Sequence, residues 1–124
     1  MDSDFYEIAR ALQPYFDGWY EADVEKLKMA FHESCRLTCV IDGKLDQDSM
    51  PKVYESVANR ESPASRGETR HDRILSIHKS SPDIALAVVQ LSIGAKLFTD
   101  YLSLVKLEGN WKIVSKLFSF SKLP

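Results

Sequence analysis

The chain has 124 residues, 44% hydrophobic and 27% charged, which is enough to bury one core, and we treat residues 1–124 as one domain. Its 16 basic and 18 acidic residues give a net charge of −2 with no long block of one sign, which argues against nucleic acid or an anionic membrane as a partner. Neither a secretory signal nor a run of ~18 apolar residues is present, so a cytoplasmic location is expected.

The first quarter of the chain is predicted to be helical. Apolar residues recur at spacings of three and four over residues 5–19. Pro14 removes one backbone donor, so we expect a break and a restart near Gln13, with the helix continuing to about residue 21. Asp23 is well placed to cap a second short helix over residues 24–31. These helices would cover one face of a sheet.

The middle of the chain changes to strand and turn patterns. Residues 36–41 form a β-rich run, Asp42-Gly43 predicts a hairpin turn, and residues 44–46 return. Ser49 is expected to cap a third helix that carries a proline in its first turn. Residues 60–69 have no periodicity and are predicted to form an exposed, mobile loop.

The last part of the chain predicts an antiparallel meander. A third strand is expected over residues 70–79 and a fourth over residues 84–96. Two alternating runs then join at Glu108-Gly109-Asn110 within residues 98–120, where glycine accepts a positive φ without steric cost. Helices grouped against one face of such a sheet define an α+β domain.

Both faces of the final hairpin are largely apolar. Leu102 and Leu104 share one face of its first arm, and strict alternation places Trp111, Ile113 and Leu117 together on one face of its second arm. A sheet with two apolar faces needs two covers, so we expect helices on one side and a second subunit on the other. The predicted homodimer interface is the face bearing Leu102 and Leu104.

The pattern FxDYLSLxKxxGxWKIVxK over residues 98–116 resembles the putative lumazine-binding family. Residues 15–31 also resemble the first two helices of its superfamily, the nuclear transport factor 2-like proteins. That superfamily includes ketosteroid isomerases, scytalone dehydratases and SnoaL-type polyketide cyclases. The resemblance implies a cone-shaped, curved, mostly antiparallel sheet wrapped around the N-terminal helices, the cystatin-like arrangement, with a pocket at its open end.

Tyr15 matches, by this resemblance, the tyrosine of ketosteroid isomerases that donates a hydrogen bond to the developing oxyanion. The position of their carboxylate base corresponds to Cys39 in this chain. The position of their protonated acid corresponds to Ser103, with Asp100 on the opposite side of the strand. Neither Cys39 nor Ser103 can abstract a proton α to a carbonyl at neutral pH, so steroid isomerisation is rejected. The alternative for Tyr15 is a core aromatic with a satisfied hydroxyl.

His71 lies near the position of the catalytic histidine of scytalone dehydratase-like proteins. Those enzymes also need a tyrosine and acid pair near the end of the first helix, where this chain has Trp19-Tyr20. That difference argues against dehydration. The alternative for His71 is a half-exposed histidine at a strand end.

No cofactor and no metal are predicted. The chain has no Gly-rich phosphate loop and no His/Glu set with metal spacing. Its two cysteines, Cys35 and Cys39, lack the partners of a closed metal site and are expected to be free, buried thiols.

Three hypotheses follow. The first is a protein that binds a small hydrophobic or aromatic molecule in the cone pocket. The second is an enzyme of the lyase, isomerase or cyclase type that uses Tyr15 and His71. The third is a non-catalytic dimeric interaction protein. The residues predicted to line the pocket are Tyr15, Trp19, Cys39, His71, Ser103 and Trp111.

Overall fold

The computed structural model describes residues 2–124, in which three helices precede a six-stranded sheet and a fourth helix follows its second strand. The order of the strands across the sheet is β2-β1-β6-β5-β4-β3. None of the helices in this described part has the length and hydropathy needed to cross a membrane. The elements are α1 (Asp2–Ala11), α2 (Gln13–Glu21), α3 (Val24–Ala30), β1 (Arg36–Ile41), β2 (Lys44–Ser49), α4 (Met50–Ala58), a 3₁₀ turn (Ala64–Arg66), β3 (Arg73–Ser81), β4 (Ile84–Ile93), β5 (Lys96–Leu107) and β6 (Asn110–Lys122).

Local sequence signals explain where the helices begin and end. Helix α1 ends at Ala11 and α2 starts at Gln13 with Pro14 in its first turn, where a missing N–H costs nothing, so the predicted break is confirmed. The Asp23 carboxylate accepts a hydrogen bond from the Lys26 N–H at 3.1 Å and caps α3 as predicted. Ser49 precedes α4 but makes no side-chain capping bond, so its predicted role is not fulfilled.

The sheet is antiparallel apart from one seam. Strands β3 to β6 form the predicted meander, and β5 and β6 form the predicted hairpin. Its turn residues Glu108 and Gly109 both have positive φ, at 49° and 83°, as a tight hairpin with matching twist requires. At the seam, β1 pairs parallel with β6 through Leu37 and Lys116, which attaches the β1–β2 hairpin to the meander. The predicted α+β class is confirmed.

A β-bulge in β6 changes which side chains face the helices. Ser103 pairs with Ser115 and Leu104 pairs with Ile113, so Val114 is an extra residue. Beyond the bulge the alternation is reversed, and Leu117 is 52% exposed. The prediction that Leu117 shares the face of Trp111 and Ile113 is therefore wrong.

The covered face of the sheet is the one that carries Leu102 and Leu104. These side chains are 0% and 2% exposed because α1 to α4 pack against this concave side to form the core. The predicted dimer interface at Leu102 and Leu104 is therefore wrong. The opposite, outer face carries Leu86, Tyr101 and Leu117 in the open.

The connection from α4 to β3 is held more firmly than its composition indicates. Pro63 is fully buried, and the Tyr20 hydroxyl donates to the carbonyl oxygen of Glu68 at 2.8 Å. The Glu68 carboxylate in turn accepts the Gly94 N–H at 2.9 Å. Most of residues 60–69 are exposed as predicted, and these contacts attach the segment to α2 and to the turn before β5. Strand β3 starts at Arg73 rather than at residue 70, so His71 precedes the strand.

Candidate functional site

Four side chains from three elements meet beneath the helices. Tyr15 and Trp19 lie one turn apart on α2, and both are buried. Asp100 comes from β5, on the same face as the core residue Leu102. The Val114 bulge brings Lys116 of β6 onto that face as well.

Tyr15 and Asp100 form a hydrogen bond with no access to water. The phenol donates to Asp100 Oδ2 at 2.5 Å, and both side chains are 0% exposed. Burial, followed by the negative charge of Asp100, raises the pKa of Tyr15 well above its ordinary value. The phenol therefore stays protonated across the physiological range and remains a donor.

Lys116 is a buried cation between one carboxylate and three aromatic rings. Its Nζ lies 3.6 Å from Asp100 Oδ2. The same atom lies 4.6 Å from the ring centre of Trp19, 5.0 Å from that of Phe118 and 5.3 Å from that of Tyr15. Burial lowers the pKa of Lys116, and the Asp100 charge offsets part of that change.

Two polar atoms of this cluster have no hydrogen-bond partner. They are Trp19 Nε1 and Asp100 Oδ1. The Trp19 N–H lies near the Tyr15 hydroxyl but makes no hydrogen bond with it. An unsatisfied buried polar group costs about 1–3 kcal/mol, so such atoms are expected where a ligand or water completes them. Trp19 Nε1 and Asp100 Oδ1 are therefore the atoms of the cluster that a ligand or a water molecule would complete.

A cavity of about 160 Å³ adjoins the cluster. Trp19 and Lys116 form part of its wall, together with Asp48, Ser56 and Arg60. Ser56 and Arg60 are exposed, so the cavity reaches solvent beside α4. The Arg60 guanidinium donates to Ser56 Oγ at 2.9 Å and lies 5.9 Å from the Trp19 ring centre. The apolar part of the wall consists of Leu37, Val53, Leu91, Ile93, Phe98 and Phe118.

Of the six residues predicted to line the pocket, Trp19 is part of the cavity wall, and Tyr15 lies behind the Trp19 side chain. Ser103 points to the outer face, next to Leu86 across the strand pair. Cys39 is buried on β1, where its Sγ lies 3.9 Å from Asp46 Oδ2. These predictions for Ser103 and Cys39 are wrong for this cavity.

His71 and Trp111 are also outside the cavity. His71 Nδ1 lies 2.9 Å from Ser92 Oγ, and its ring borders a separate depression beside Leu97. Trp111 Nε1 donates to Glu7 Oε1 at 2.8 Å, under α1. Tyr15 and His71 therefore do not converge on one cavity, and the pairing of these two residues as donor and base fails on geometry.

The residues that reasoning from sequence missed are Asp100, Lys116 and Arg60. Asp100 had a usable signal, because it shares the strand face of two leucines that are central to the core. The signal for Lys116 was the adjacent apolar pair Ile113-Val114, which interrupts the alternation of β6 as a bulge does. Among residues 2–124, no three His, Cys, Asp or Glu side chains lie close enough together to hold a metal ion.

Solved structures share this architecture over nearly the whole chain. A protein from Silicibacter pomeroyi, described as NTF-2 like and of unknown function, aligns with a TM-score of 0.84 at 21% identity and covers 97% of this chain and 98% of its own. An NTF2-like protein of unknown function from Shewanella baltica aligns with a TM-score of 0.85 at 25% identity, covering 96% and 94%. A ketosteroid isomerase-like protein from Erwinia carotovora atroseptica aligns with a TM-score of 0.76 at 15% identity, covering 97% and 98%. These likenesses establish the nuclear transport factor 2-like fold.

Sequence comparison adds one relative and one family. The relative is described as "Aldolase FrzH" from Cladobotryum sp., and it is 22% identical over 116 residues, which make up 94% of this chain and 90% of that protein. The family is described as putative lumazine-binding, and its sequence pattern matches residues 3–119. With that match across almost the entire length, the chain belongs to the putative lumazine-binding family of nuclear transport factor 2-like proteins.

Proposed function

We propose that this protein binds a small aromatic molecule that carries a hydrogen-bond acceptor. The observation that carries the proposal is a largely apolar cavity whose wall holds polar donors, one of which lacks an acceptor. Trp19 N–H is buried and unpaired, and Lys116 and Arg60 line the same space. Pockets of this kind use apolar walls for affinity and a few polar groups for orientation. An oxygen or ring nitrogen of a ligand would accept a hydrogen bond from Lys116 or Arg60 in the cavity wall.

The size of the cavity limits the ligand. An apolar cavity of about 150 Å³ in another protein accepts benzene, so a cavity of about 160 Å³ matches one six-membered ring. Lumazine, which the family description names, has two fused rings and would need more room. We therefore expect one ring in the cavity, with any further part of the ligand extending to solvent beside Ser56 and Arg60.

Binding can be tested with single-ring compounds and a filled cavity. Benzoate, benzamide and nicotinamide would be screened by ligand-observed NMR and by thermal shift. Ile93→Phe, in the cavity wall, should abolish binding of those that bind. Leu86→Phe, on the outer face of the same strand, is the matched control and should leave binding unchanged. Binding of none of the compounds, or equal binding by both variants, would contradict the proposal.

A second candidate function is an enzyme of the lyase, isomerase or cyclase class. It is supported by the grouping of Tyr15, Asp100 and Lys116 next to the cavity, and by the likeness to a protein described as an aldolase. In this enzyme the protonated phenol of Tyr15 would act together with the buried carboxylate of Asp100, instead of with His71. Conversion, rather than binding alone, of a carbonyl compound would distinguish it.

We also propose a homodimer, through the outer face of the sheet. Leu86, Val88, Tyr101, Ser103 and Leu117, hereafter the outer patch, are neighbours across strands β4 to β6 and carry no charge. Interface centres are depleted in charge and enriched in aromatic residues, which favours a second copy as the cover. A protein that used only its sheet surface for interactions would be expected to have a filled interior, and the cavity argues against that hypothesis.

The two thiols are consistent with a reducing compartment, so a cytoplasmic location remains our proposal. Cys35 and Cys39 are both free and buried. Burial raises the pKa of Cys35 to about 11, which keeps this thiol protonated and unreactive at neutral pH.

A further inference from the structure

Lys116 differs from every other lysine in residues 2–124, because it alone is buried. Its side chain is 6% exposed, yet it lines a cavity that reaches solvent. Its ammonium group is 3.6 Å from Asp100, beyond hydrogen-bond distance. A purely structural ion pair gains from close, bidentate contact, and this one lacks it.

We propose that Lys116 forms a covalent imine with a carbonyl compound that occupies the cavity. This inference rests on the proposed function, since the carbonyl group would be the acceptor carried by the bound ring. Lysine amines in apolar sites act as nucleophiles toward carbonyl groups because such sites favour the neutral amine. The lowered pKa of Lys116 agrees with that role.

The proton balance closes with groups already present. The Lys116 ammonium gives one proton to the Asp100 carboxylate, and the free amine forms a bond to the carbonyl carbon while the C=O π electrons move to oxygen. A proton then passes from nitrogen to that oxygen, which gives a neutral carbinolamine. Asp100 returns its proton to the hydroxyl group, water leaves, and the nitrogen lone pair completes the C=N bond. One ammonium and one carbonyl thus give one protonated imine and one water.

The surroundings of Nζ suit both the proton transfer and the product. Asp100 Oδ2, which accepts from Tyr15 at 2.5 Å, lies 3.6 Å from Nζ, and Oδ1 has no hydrogen-bond partner. A rotation of the Lys116 side chain that brings Nζ within hydrogen-bond distance of the carboxylate therefore precedes the proton transfer. The protonated imine keeps the positive charge of the ammonium, so the contacts with the Trp19 and Phe118 rings are retained. The carboxylate stays beside that charge as its counterion.

The test is reductive trapping. The protein would be incubated with benzaldehyde and sodium cyanoborohydride at pH 7, which converts an imine to a stable benzylamine, and the labelled lysine would be identified by peptide mass spectrometry. We expect Lys116 to carry at least about tenfold more label than any exposed lysine, because binding in the cavity holds the carbonyl group beside this amine. Lys116→Arg should remove this label, and Lys112→Arg, a half-exposed lysine on the same strand, should keep it.

The outcomes separate the two proposals. Peptide mapping of the labelled wild-type protein identifies the modified lysine by itself, so the test holds even if Lys116→Arg fails to fold. Label spread evenly over exposed lysines would overturn the imine. Benzamide, which has the same ring but an unreactive carbonyl, tests binding alone: if it binds and benzaldehyde leaves no adduct on Lys116, the imine is wrong and the binding function stands. If neither compound enters the cavity, both proposals fail.

Discussion

Replacing Tyr15 by phenylalanine isolates the hydrogen bond on which the candidate site depends. The change removes one oxygen and leaves the ring in place. Asp100 would then have no hydrogen-bond donor on either oxygen, since Oδ1 is already unpartnered and Lys116 is 3.6 Å away. A hydrogen bond to a charged group is worth about 1.5–3 kcal/mol, and a fully buried carboxylate belongs at the upper end. We expect Tyr15→Phe to lower the free energy of unfolding by about 2–3 kcal/mol.

The matched control is Tyr20→Phe. The Tyr20 hydroxyl donates to a neutral carbonyl oxygen in a half-buried position, so its loss should cost about 0.5–1.5 kcal/mol. Both variants would be unfolded with urea at pH 7 and followed by far-UV circular dichroism. The m-value, the slope of unfolding free energy against urea concentration, should be the same for both variants and wild type. Tyr15→Phe should lower the free energy of unfolding clearly more than Tyr20→Phe does.

A double-mutant cycle then assigns the difference to Asp100. In an Asp100→Asn background the acceptor of the Tyr15 hydroxyl is neutral, so Tyr15→Phe should cost about 1 kcal/mol. The coupling between the two positions is therefore about 1–2 kcal/mol. Equal costs in both backgrounds, or a Tyr15 variant no less stable than the Tyr20 variant, would refute the reasoning.

Three further predictions follow from other contacts. The pKa of Tyr15 is raised well above 10, so above pH 10 the folded state keeps the phenol proton while the unfolded state loses it. The free energy by which wild type is more stable than Tyr15→Phe should therefore be complete below pH 10. Above pH 10 it should shrink by about 1.4 kcal/mol per pH unit, as measured by urea titration. Gly18→Ala should destabilise the fold by about 1–3 kcal/mol despite the better helix propensity of alanine, because the new Cβ would lie 2.6 Å from Leu27 Cδ2. In a Leu27→Ala background calorimetry should show a smaller penalty for Gly18→Ala. If the two substitutions have strictly additive effects on stability, the steric explanation is wrong. Tyr101→Glu should halve the mass measured by light scattering, whereas Tyr6→Glu, an equally exposed tyrosine on α1, should not; a monomeric wild type would end the dimer proposal.

The architecture followed from local patterns because each pattern has a local cause. Pro14 removes a backbone donor, Asp23 supplies a cap, and Gly109 accepts a positive φ, so the breaks and turns could be predicted from those residues alone. The match to a known family then supplied the curved sheet around the helices. Boundaries shifted by a few residues, most clearly at β3.

The site could not be predicted in the same way, because it depends on which sheet face is covered. Both faces of the last hairpin are apolar, so alternation separates Leu102 from Tyr101 without telling which of them meets the helices. Choosing the wrong face directed attention to Ser103 and away from Asp100. One extra residue, Val114, then reversed the direction of Lys116 relative to strict alternation. A charged residue in a strand is normally assigned to solvent, and the local signal against that assignment was the adjacent apolar pair Ile113-Val114.

The parallel seam between β1 and β6 has a consequence for the order of folding. It joins Leu37 to Lys116, 79 positions later in the chain, while the meander is built from neighbouring strands. Long-range pairing pays its loop-closure entropy before any contact repays it, so the seam should form last and open first. Leu37 and Phe118, on opposite strands of the seam, both contact the cavity. A molecule held there would contact both strands, so a bound ligand should slow the opening of the seam.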